Sequence, residues 1–571
     1  MSAPDYIQTP EFPSPRIAES RRLTGPNLYS ARPGAVLEVT SLDDALLDAW
    51  RTAATHLIGA MKWELSDLVI RREKQGASLF LAAPVDVLMT ATEVNEQAWV
   101  AAESGVVHAP DAARVTLETT ASAERATRPH FAHVYAEARR RGLTVAFDDA
   151  LITLGGGAGS RTWSFTALPD VGDIAWAELN DVPIALVTGS NGKTTTTRLV
   201  AAMWRAHGSV TGWSCSDGVW VDDTQLEGGD YAGPAGAREV LRDHRVQAAV
   251  LETARGGMLR RGLAVTRASA AIITNISPDH FGEYGIDTLG ELAEVKGIVA
   301  RALGDAGHLV LNADDPLLVD LASRIDARVA WFSVKSSSAD ACVRDGRVLL
   351  QHEEATYDLG AVDDMPVTFR GAAPHNIENV LGAALLASVA GVSVDAIRST
   401  LATFGSTPRD NPGRLHVYRI GGVTLLTDYA HNPGGLAALC ETARTMPAER
   451  RLLLLGQAGN RDDEQLQALV RAAWEVMPFD RVIVKEMPTM LRGRALGDVP
   501  RVFCDELTAL GARPDQVEVV VGELAAIRRA VTWAREGDIL VCPVHVEKAA
   551  VLAWLARVSE VGWRAGQPLP D

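Results

Sequence analysis

Lysine is scarce in this chain: seven residues (Lys62, Lys74, Lys193, Lys296, Lys335, Lys485 and Lys548) against 48 arginines. A lysine kept in such a background has a raised chance of doing chemistry that a guanidinium cannot do. Cysteine is equally thin. The five present, Cys215, Cys342, Cys440, Cys504 and Cys542, show neither metal spacing nor a disulfide framework, which fits a reducing cytoplasm. No apolar run approaches the ~20 residues that span a bilayer. Met1 to Pro15 is polar and proline-rich and has no charged-then-apolar signal segment. Nor is there an excess of positive charge. The net charge of −17 disfavours nucleic acid and anionic membranes as partners and is weakly compatible with cationic small substrates. What is present is apolar mass. Over 571 residues, 47% are hydrophobic, enough for about three domains that each bury a core.

Residues 184–196 carry the strongest chemical signal. An apolar strand, Ile184-Ala185-Leu186-Val187, runs into Thr188-Gly189-Ser190-Asn191-Gly192-Lys193-Thr194-Thr195-Thr196. The turn must bring backbone N–H groups close to an anion, which Gly189 and Gly192 allow by lacking a Cβ. A helix opening at Lys193 adds its N-terminal dipole. Lys193 can reach outer phosphates, and a Thr194 or Thr195 hydroxyl can hold Mg²⁺. The general P-loop pattern would place Gly five residues before Gly192, where this chain has Val187.

Other segments are read more briefly. Ser41 to Leu57 predicts a helix, and Leu79 to Leu88 and Leu143 to Ala146 predict strands. Gly155-Gly156-Gly157 predicts a turn between strands rather than a phosphate loop, because no helix follows. Residues 168–173 read as a linker. From 184 to about 405, strands alternate with helices and end in polar tips, an arrangement that gathers ligand-binding groups at one crevice. One tip is Glu252, at the end of Ala248-Ala249-Val250-Leu251, placed where a second Mg²⁺ ligand is needed beside a phosphate loop. Another runs Asn275-Ile276-Ser277-Pro278-Asp279-His280. On spacing alone, Lys296 reads as a snorkelling surface lysine. After Pro412 the alternation restarts, with strands predicted at 423–427, 451–455, 481–484, 517–521 and 538–542. Helices are predicted at 434–445 and 464–476.

In chain order come Asn312-Ala313-Asp314-Asp315, His375-Asn376-Ile377-Glu378-Asn379 and Pro412-Gly413-Arg414. Asp428-Tyr429-Ala430-His431-Asn432-Pro433 and Gly456-Gln457-Ala458-Gly459-Asn460-Arg461-Asp462 follow. With the phosphate loop, this series resembles the Mur ligase superfamily over roughly residues 180–560. The resemblance implies an α/β fold: a P-loop central ATP-binding domain (176–410) and a Rossmann-like C-terminal domain (411–571), preceded by an α+β N-terminal domain (1–175). It implies ATP and Mg²⁺ as cofactors and a site built from Gly189, Ser190, Asn191, Gly192, Lys193, Thr194 and Thr195. Asn379 would face adenine, Arg414 the terminal phosphates and Asp428 the ribose. It further implies that Thr194 and Glu252 hold Mg²⁺ at the phosphate loop, and that Lys296 is carbamylated, becoming a carboxylate-like group that with His280 holds a second Mg²⁺. Only a primary amine can be so modified.

Three stretches narrow the likeness. Glu252-Thr253-Ala254-Arg255-Gly256-Gly257-Met258-Leu259-Arg260-Arg261-Gly262-Leu263, Lys485-Glu486 with Arg492-Gly493-Arg494, and Leu23-Thr24-Gly25-Pro26-Asn27-Leu28-Tyr29-Ser30 are similar to the cyanophycin synthetase family. That family places an ATP-grasp domain between its N-terminal and Mur-like parts, and there is no room for one between Trp163 and Gly189. The resemblance implies an ADP-forming acid–amino acid ligase joining an amine, such as arginine, to an aspartyl acid or peptide. Substrate contacts are expected at Arg255, His431, Arg461, Arg492 and Arg494, and a homo-oligomer is expected. Whether His280 or His431 assists the amine stays open. Two rival readings are a silent scaffold beside a separate ATP-grasp ligase and a plain P-loop ATPase or kinase. The scaffold predicts lost ligands, yet Lys193, Thr194, Glu252, His280, Lys296 and Arg414 are all present. The ATPase leaves the Asp428–His431 block unexplained.

Overall fold

The computed structural model describes residues 16–65, 67–106, 111–279, 281–407 and 409–570. They form two compact units. The first comprises residues up to Ile184, then Ser214–Ala268 and the stretch ending at Gly304. The second comprises Ala185–Trp213, Ser269–Asp279 and Asp305 onwards.

The first unit begins with a four-stranded antiparallel sheet in the order Ile17–Leu23, Gly34–Val39, Gly76–Ala82, Leu68–Glu73. Helices Asp44–Ala60 and Leu88–Glu103 contribute apolar faces to one core with the sheet residues Leu37, Leu79 and Leu81. The first helix starts where the Asp43 carboxylate accepts the Ala45 N–H. Its buried Trp50 satisfies the indole N–H on Asn95 Oδ1 at 2.9 Å. The strand expected over 79–88 ends at Ala82. Pro84, which has no N–H to offer a sheet, leads into a short 3₁₀ turn, and Leu88 already opens a helix.

A three-stranded antiparallel sheet (Val145–Phe147, Leu151–Leu154, Arg161–Ser164) follows, and Gly155–Gly157 lie in the turn between its last two strands, as expected. The predicted linker at 168–173 is not free chain. Leu168, Ile174 and Leu179 bury against Phe131, Phe147 and Phe165, so this stretch belongs to the domain core. The hairpin Gly218–Val221/Thr224–Gly228, strand Ala248–Glu252 and helices Arg255–Arg261 and Leu289–Gly297 complete the elements used below.

In the second unit, Ile184–Thr188 pairs in parallel with Ala268–Ile273, and Leu303–Asn312 pairs in parallel with Arg328–Ser333. Ala341–Arg344, Arg347–His352 and Ala355–Ala361 extend this sheet as an antiparallel ribbon. Every residue of Ile184–Thr188 is buried, so the strand shows an unbroken apolar run in place of alternation. A six-stranded sheet forms the C-terminal domain in the order His416–Ile420, Val423–Asp428, Ile539–Pro543, Arg451–Leu455, Arg481–Glu486, Val517–Val521. It is parallel except for its first strand. Helices Pro433–Thr445, Asp463–Val476 and Asp498–Ala509 bury against one face, and Glu523–Trp533 and Lys548–Glu560 against the other. This is a doubly wound arrangement, a class in which ligands generally bind at the carboxyl ends of the strands. Among the described residues no helix is long and apolar enough to cross a membrane.

Candidate active site

The phosphate loop leaves the buried strand Ile184–Thr188 and enters helix Lys193–Ala206. Gly189 has φ +145° and Gly192 φ +83°. A Cβ at Gly189 would sit 1.8 Å from Thr274 Oγ1, and one at Gly192 would sit 2.1 Å from Asn379 Oδ1. Both glycines are therefore required by space as well as by dihedral. The loop is braced from the tip of the neighbouring strand. Thr274 Oγ1 donates to Asn191 O (2.6 Å), and the Asn191 N–H donates to Asn275 Oδ1 (2.9 Å). Ser190 Oγ donates to Ser277 O (2.9 Å) and Asn191 Nδ2 to Ser277 Oγ (3.0 Å). Asp315 fixes this bracing strand tip by accepting the Ile276 N–H at 2.7 Å.

Lys193 Nζ folds back over the loop and donates to Gly189 O (3.0 Å) and Ser190 O (2.9 Å). Thr194 and Thr195 are buried at the helix start. Two residues from the opening of the C-terminal domain meet them: Arg414 Nη2 lies 3.4 Å from Thr194 Oγ1, and Asn411 Nδ2 donates to Thr195 Oγ1 at 3.0 Å. The Arg414 guanidinium also stacks over Tyr429, 5.1 Å from the ring centre. Asp428 holds that corner together by accepting the N–H groups of Leu415 (2.6 Å) and Ala430 (2.8 Å). Gly413 has φ +71°, and a Cβ there would meet the Lys548 side chain at 2.3 Å. The start of helix Pro433–Thr445 comes close as well, since a Cβ on Gly434 would lie 3.1 Å from Ser277 Oγ.

Asn379 presents its amide to Gly192 and donates to Asn376 Oδ1 at 3.0 Å. Burial, reinforced by the charges of Asp314 and Asp315, raises the neighbouring Glu378 carboxyl to about 7 although Lys335 pulls the other way. His431 packs at a tilt of 44° against Tyr429 (4.8 Å between ring centres) and lies 3.7 Å from the Asp279 carboxylate, with Arg461 3.6 Å from the same oxygen. Arg494 is committed to its own loop. It donates to Gly459 O (3.0 Å) and Arg461 O (2.6 Å) and pairs with Asp463 (2.7 Å). Arg492 is exposed.

The remaining expected residues lie in the first unit. Glu252 and Lys296 are each 2% exposed, so Lys296 does not snorkel on a surface. Arg255 pairs with Glu283 at 2.5 Å. His280 falls outside the described residues. Among those residues no three His, Cys, Asp or Glu gather as a metal site. Within the second unit, the groups at the loop fit a nucleotide phosphate: a cradle with no room for a Cβ and a hydroxyl at Thr194.

Sequence reasoning missed Asn411, whose only signal was its place before Pro412-Gly413-Arg414, and the bracing by Thr274 and Ser277. It also missed the fully buried pair of Lys485 and Glu523.

Residues 187–387 match the Mur ligase middle domain and residues 413–543 the glutamate ligase domain of Mur ligases. The chain belongs to the Mur ligase family. Enzymes of this family are ATP-dependent amide ligases that use Mg²⁺. Over 383 residues the chain is 36% identical to a cyanophycin synthetase of Crocosphaera subtropica, a match covering 65% of this chain and 43% of the relative. It thus spans less than half the length of that relative. Identity is 32% over 313 residues to the UDP-N-acetylmuramoylalanine–D-glutamate ligase of Acidobacterium capsulatum, covering 53% of this chain and 60% of that enzyme. Among solved structures, E. coli FolC in complex with ADP superposes with a TM-score of 0.50 at 18% identity, covering 66% of this chain and 89% of FolC. That likeness is one of fold.

Proposed function

We propose that this Mur ligase family chain is an ATP-dependent, ADP-forming carboxylate–amine ligase. The observation that supports the reading best is the meeting of Lys193, Thr194 and Arg414 at one loop mouth. In the proposed reaction a substrate carboxylate oxygen attacks the γ-phosphorus of ATP in line, and the bond to the β–γ bridging oxygen breaks to release ADP. The amine nitrogen then attacks the acyl phosphate carbon, phosphate leaves with the C–O bond electrons, and the nitrogen loses a proton. Lys193 would leave its two backbone carbonyls for the β- and γ-phosphates. Arg414 would offset charge on the transferring group from the other side. Thr194, Glu252, His280 and Lys296, the last as a carbamate, would hold Mg²⁺, which when bound neutralises phosphate charge.

In this reading, 1–175, 176–410 and 411–571 act as the N-terminal, ATP-binding and amine-selecting domains. Packing of the Pro433 helix start on Ser277 would help to exclude water from the acyl phosphate, which hydrolyses readily. The substrates we favour are an aspartyl acid or peptide and an amino acid such as arginine, by likeness to cyanophycin synthetase. A screen of amino acids and aspartyl peptides for ADP release, with mass spectrometry of the products, tests this. The expected product carries one new amide per acceptor carboxylate. Release of ADP without any amide product would leave an ATPase.

A further inference from the structure

Resting on the ligase reading, we infer that Arg71 of the N-terminal sheet is a positioning residue for the ligase centre, acting through Glu291 on the helix that carries Lys296. Arg71 sits on strand Leu68–Glu73, more than 200 residues away in sequence from that helix. Its side chain is 15% exposed, lies 3.9 Å from Glu73 Oε1 on its own strand and reaches two further groups at once. Nη1 donates to Gly285 O at 3.0 Å and Nη2 pairs with Glu291 Oε1 at 3.0 Å. A planar fork can do this where a point charge cannot.

Glu291 passes the restraint on. Its other oxygen accepts the N–H groups of Asp287 and Thr288 (both 2.9 Å) and the Thr288 hydroxyl (3.0 Å). Thr288 in turn accepts the Glu291 N–H at 3.2 Å, closing a capping box at the first turn of helix Leu289–Gly297. Lys296 lies five residues on, at the far end of this short helix, 2% exposed. A rigid rod of nine residues fixed at its first turn has its last turn fixed too.

The loop before the helix needs such restraint. Tyr284 takes φ +56°, between Gly282 at +84° and Gly285 at +62°. Glu73 packs so tightly on Gly285 that a Cβ there would lie 2.0 Å from its carboxyl carbon. Arg21 stacks over Tyr284 at 4.7 Å, and Arg260 Nε donates to its hydroxyl at 3.2 Å. Arg21 Nε also donates to Leu259 O (3.2 Å), and Leu263 N–H donates to Pro26 O (2.7 Å). The N-terminal sheet therefore holds both the Lys296 helix and the helix that follows Glu252.

Arg71→Met keeps the aliphatic stem and removes both polar contacts. With the full chain, kcat for ADP release at saturating ATP is expected to fall at least tenfold and the Mg²⁺ requirement to rise, with KM for ATP within twofold of wild type and melting nearly unchanged. Arg71→Lys should recover part of kcat through Glu291 alone. Hydrogen exchange gives a readout independent of turnover: amides of 281–297 should exchange faster in Arg71→Met, while those of 189–206 keep their rates. Unchanged exchange over 281–297, or unchanged kcat and Mg²⁺ dependence, overturns the positioning role. A wild-type chain that releases no ADP overturns the ligase reading instead, and exchange then still decides whether Arg71 fixes the helix.

Discussion

Arg414 Nη2 lies 3.4 Å from Thr194 Oγ1, joining residues 220 positions apart in the sequence. One belongs to the helix that opens at the phosphate loop, the other to the entry of the C-terminal domain. Lys193 stands next to this contact with its ammonium parked on Gly189 O and Ser190 O. Two cations thus border a loop whose glycines leave its floor bare.

Lys193→Ala should abolish ADP release while leaving the fold intact, because Nζ bonds only to carbonyls at the loop and packs no core. The expected loss is ~10³-fold or more in rate, on the order of 4 kcal/mol of barrier. Steady-state ADP release together with a melting curve checks it. Near-normal turnover would mean that this loop is not the catalytic ATP site.

Lys296→Ala should cripple turnover, and short carboxylates such as formate or acetate should restore part of it by standing in for the carbamate. Lys296→Arg should be as inactive as the alanine variant, since a guanidinium cannot be carbamylated and adds a buried cation. A working arginine variant would remove the carbamate and the second-metal argument with it.

Glu378 offers a pH test. Burial, with Asp314 and Asp315 near, raises its folded-state pKa from 4.5 to about 7. Between those values the folded chain binds more protons than the unfolded one, so this group's contribution falls as pH rises through the window. Glu378→Gln should therefore be more stable than wild type at pH 8, on the order of 1–3 kcal/mol, with the gap closing towards pH 4.5. Urea midpoints at the two pH values read this out, and a gap independent of pH would contradict it.

The C-terminal strands at 451–455 and 517–521 were legible to the residue, because both are short apolar runs bounded by turns, the first buried in the sheet and the second rich in valine at its edge. The phosphate loop was legible because glycine and lysine spacing is itself the chemistry. The path from 79 to 88 was misread because apolarity alone does not separate a strand from the start of a helix, and Pro84 was the overlooked punctuation. Residues 168–173 misled for the opposite reason: their Pro, Gly and Asp content resembles a linker, while Leu168 and Val171 tie them to the core. Arg71 was invisible, since its partners Gly285 and Glu291 are brought to it only by the tertiary fold.

Lys485 and Glu523 form an ion pair with both side chains fully buried, at the carboxyl end of the C-terminal sheet. Lys485 Nζ also donates to Pro543 O at 2.6 Å, and Glu523 accepts the backbone N–H groups of His545 (2.8 Å), Val546 (2.9 Å) and Glu547 (2.7 Å). Glu523 therefore pins the segment leading to Lys548, whose side chain covers Gly413 beside Arg414. Burial pushes the Lys485 ammonium down despite Glu523. The same burial opposes the Glu523 carboxylate, but Lys485 and the backbone donors hold it below its usual range. Removing one partner strands the other. Glu523→Ala should cost about 3–5 kcal/mol, more than Lys485→Met, because it also deprives three N–H groups of their acceptor. The double variant Lys485→Met/Glu523→Ala should lose less than the sum of the single losses by at least about 1.5 kcal/mol, since no unpaired ammonium remains. Urea unfolding followed in the C-terminal domain measures all three, and strictly additive losses would show that the pair is not coupled.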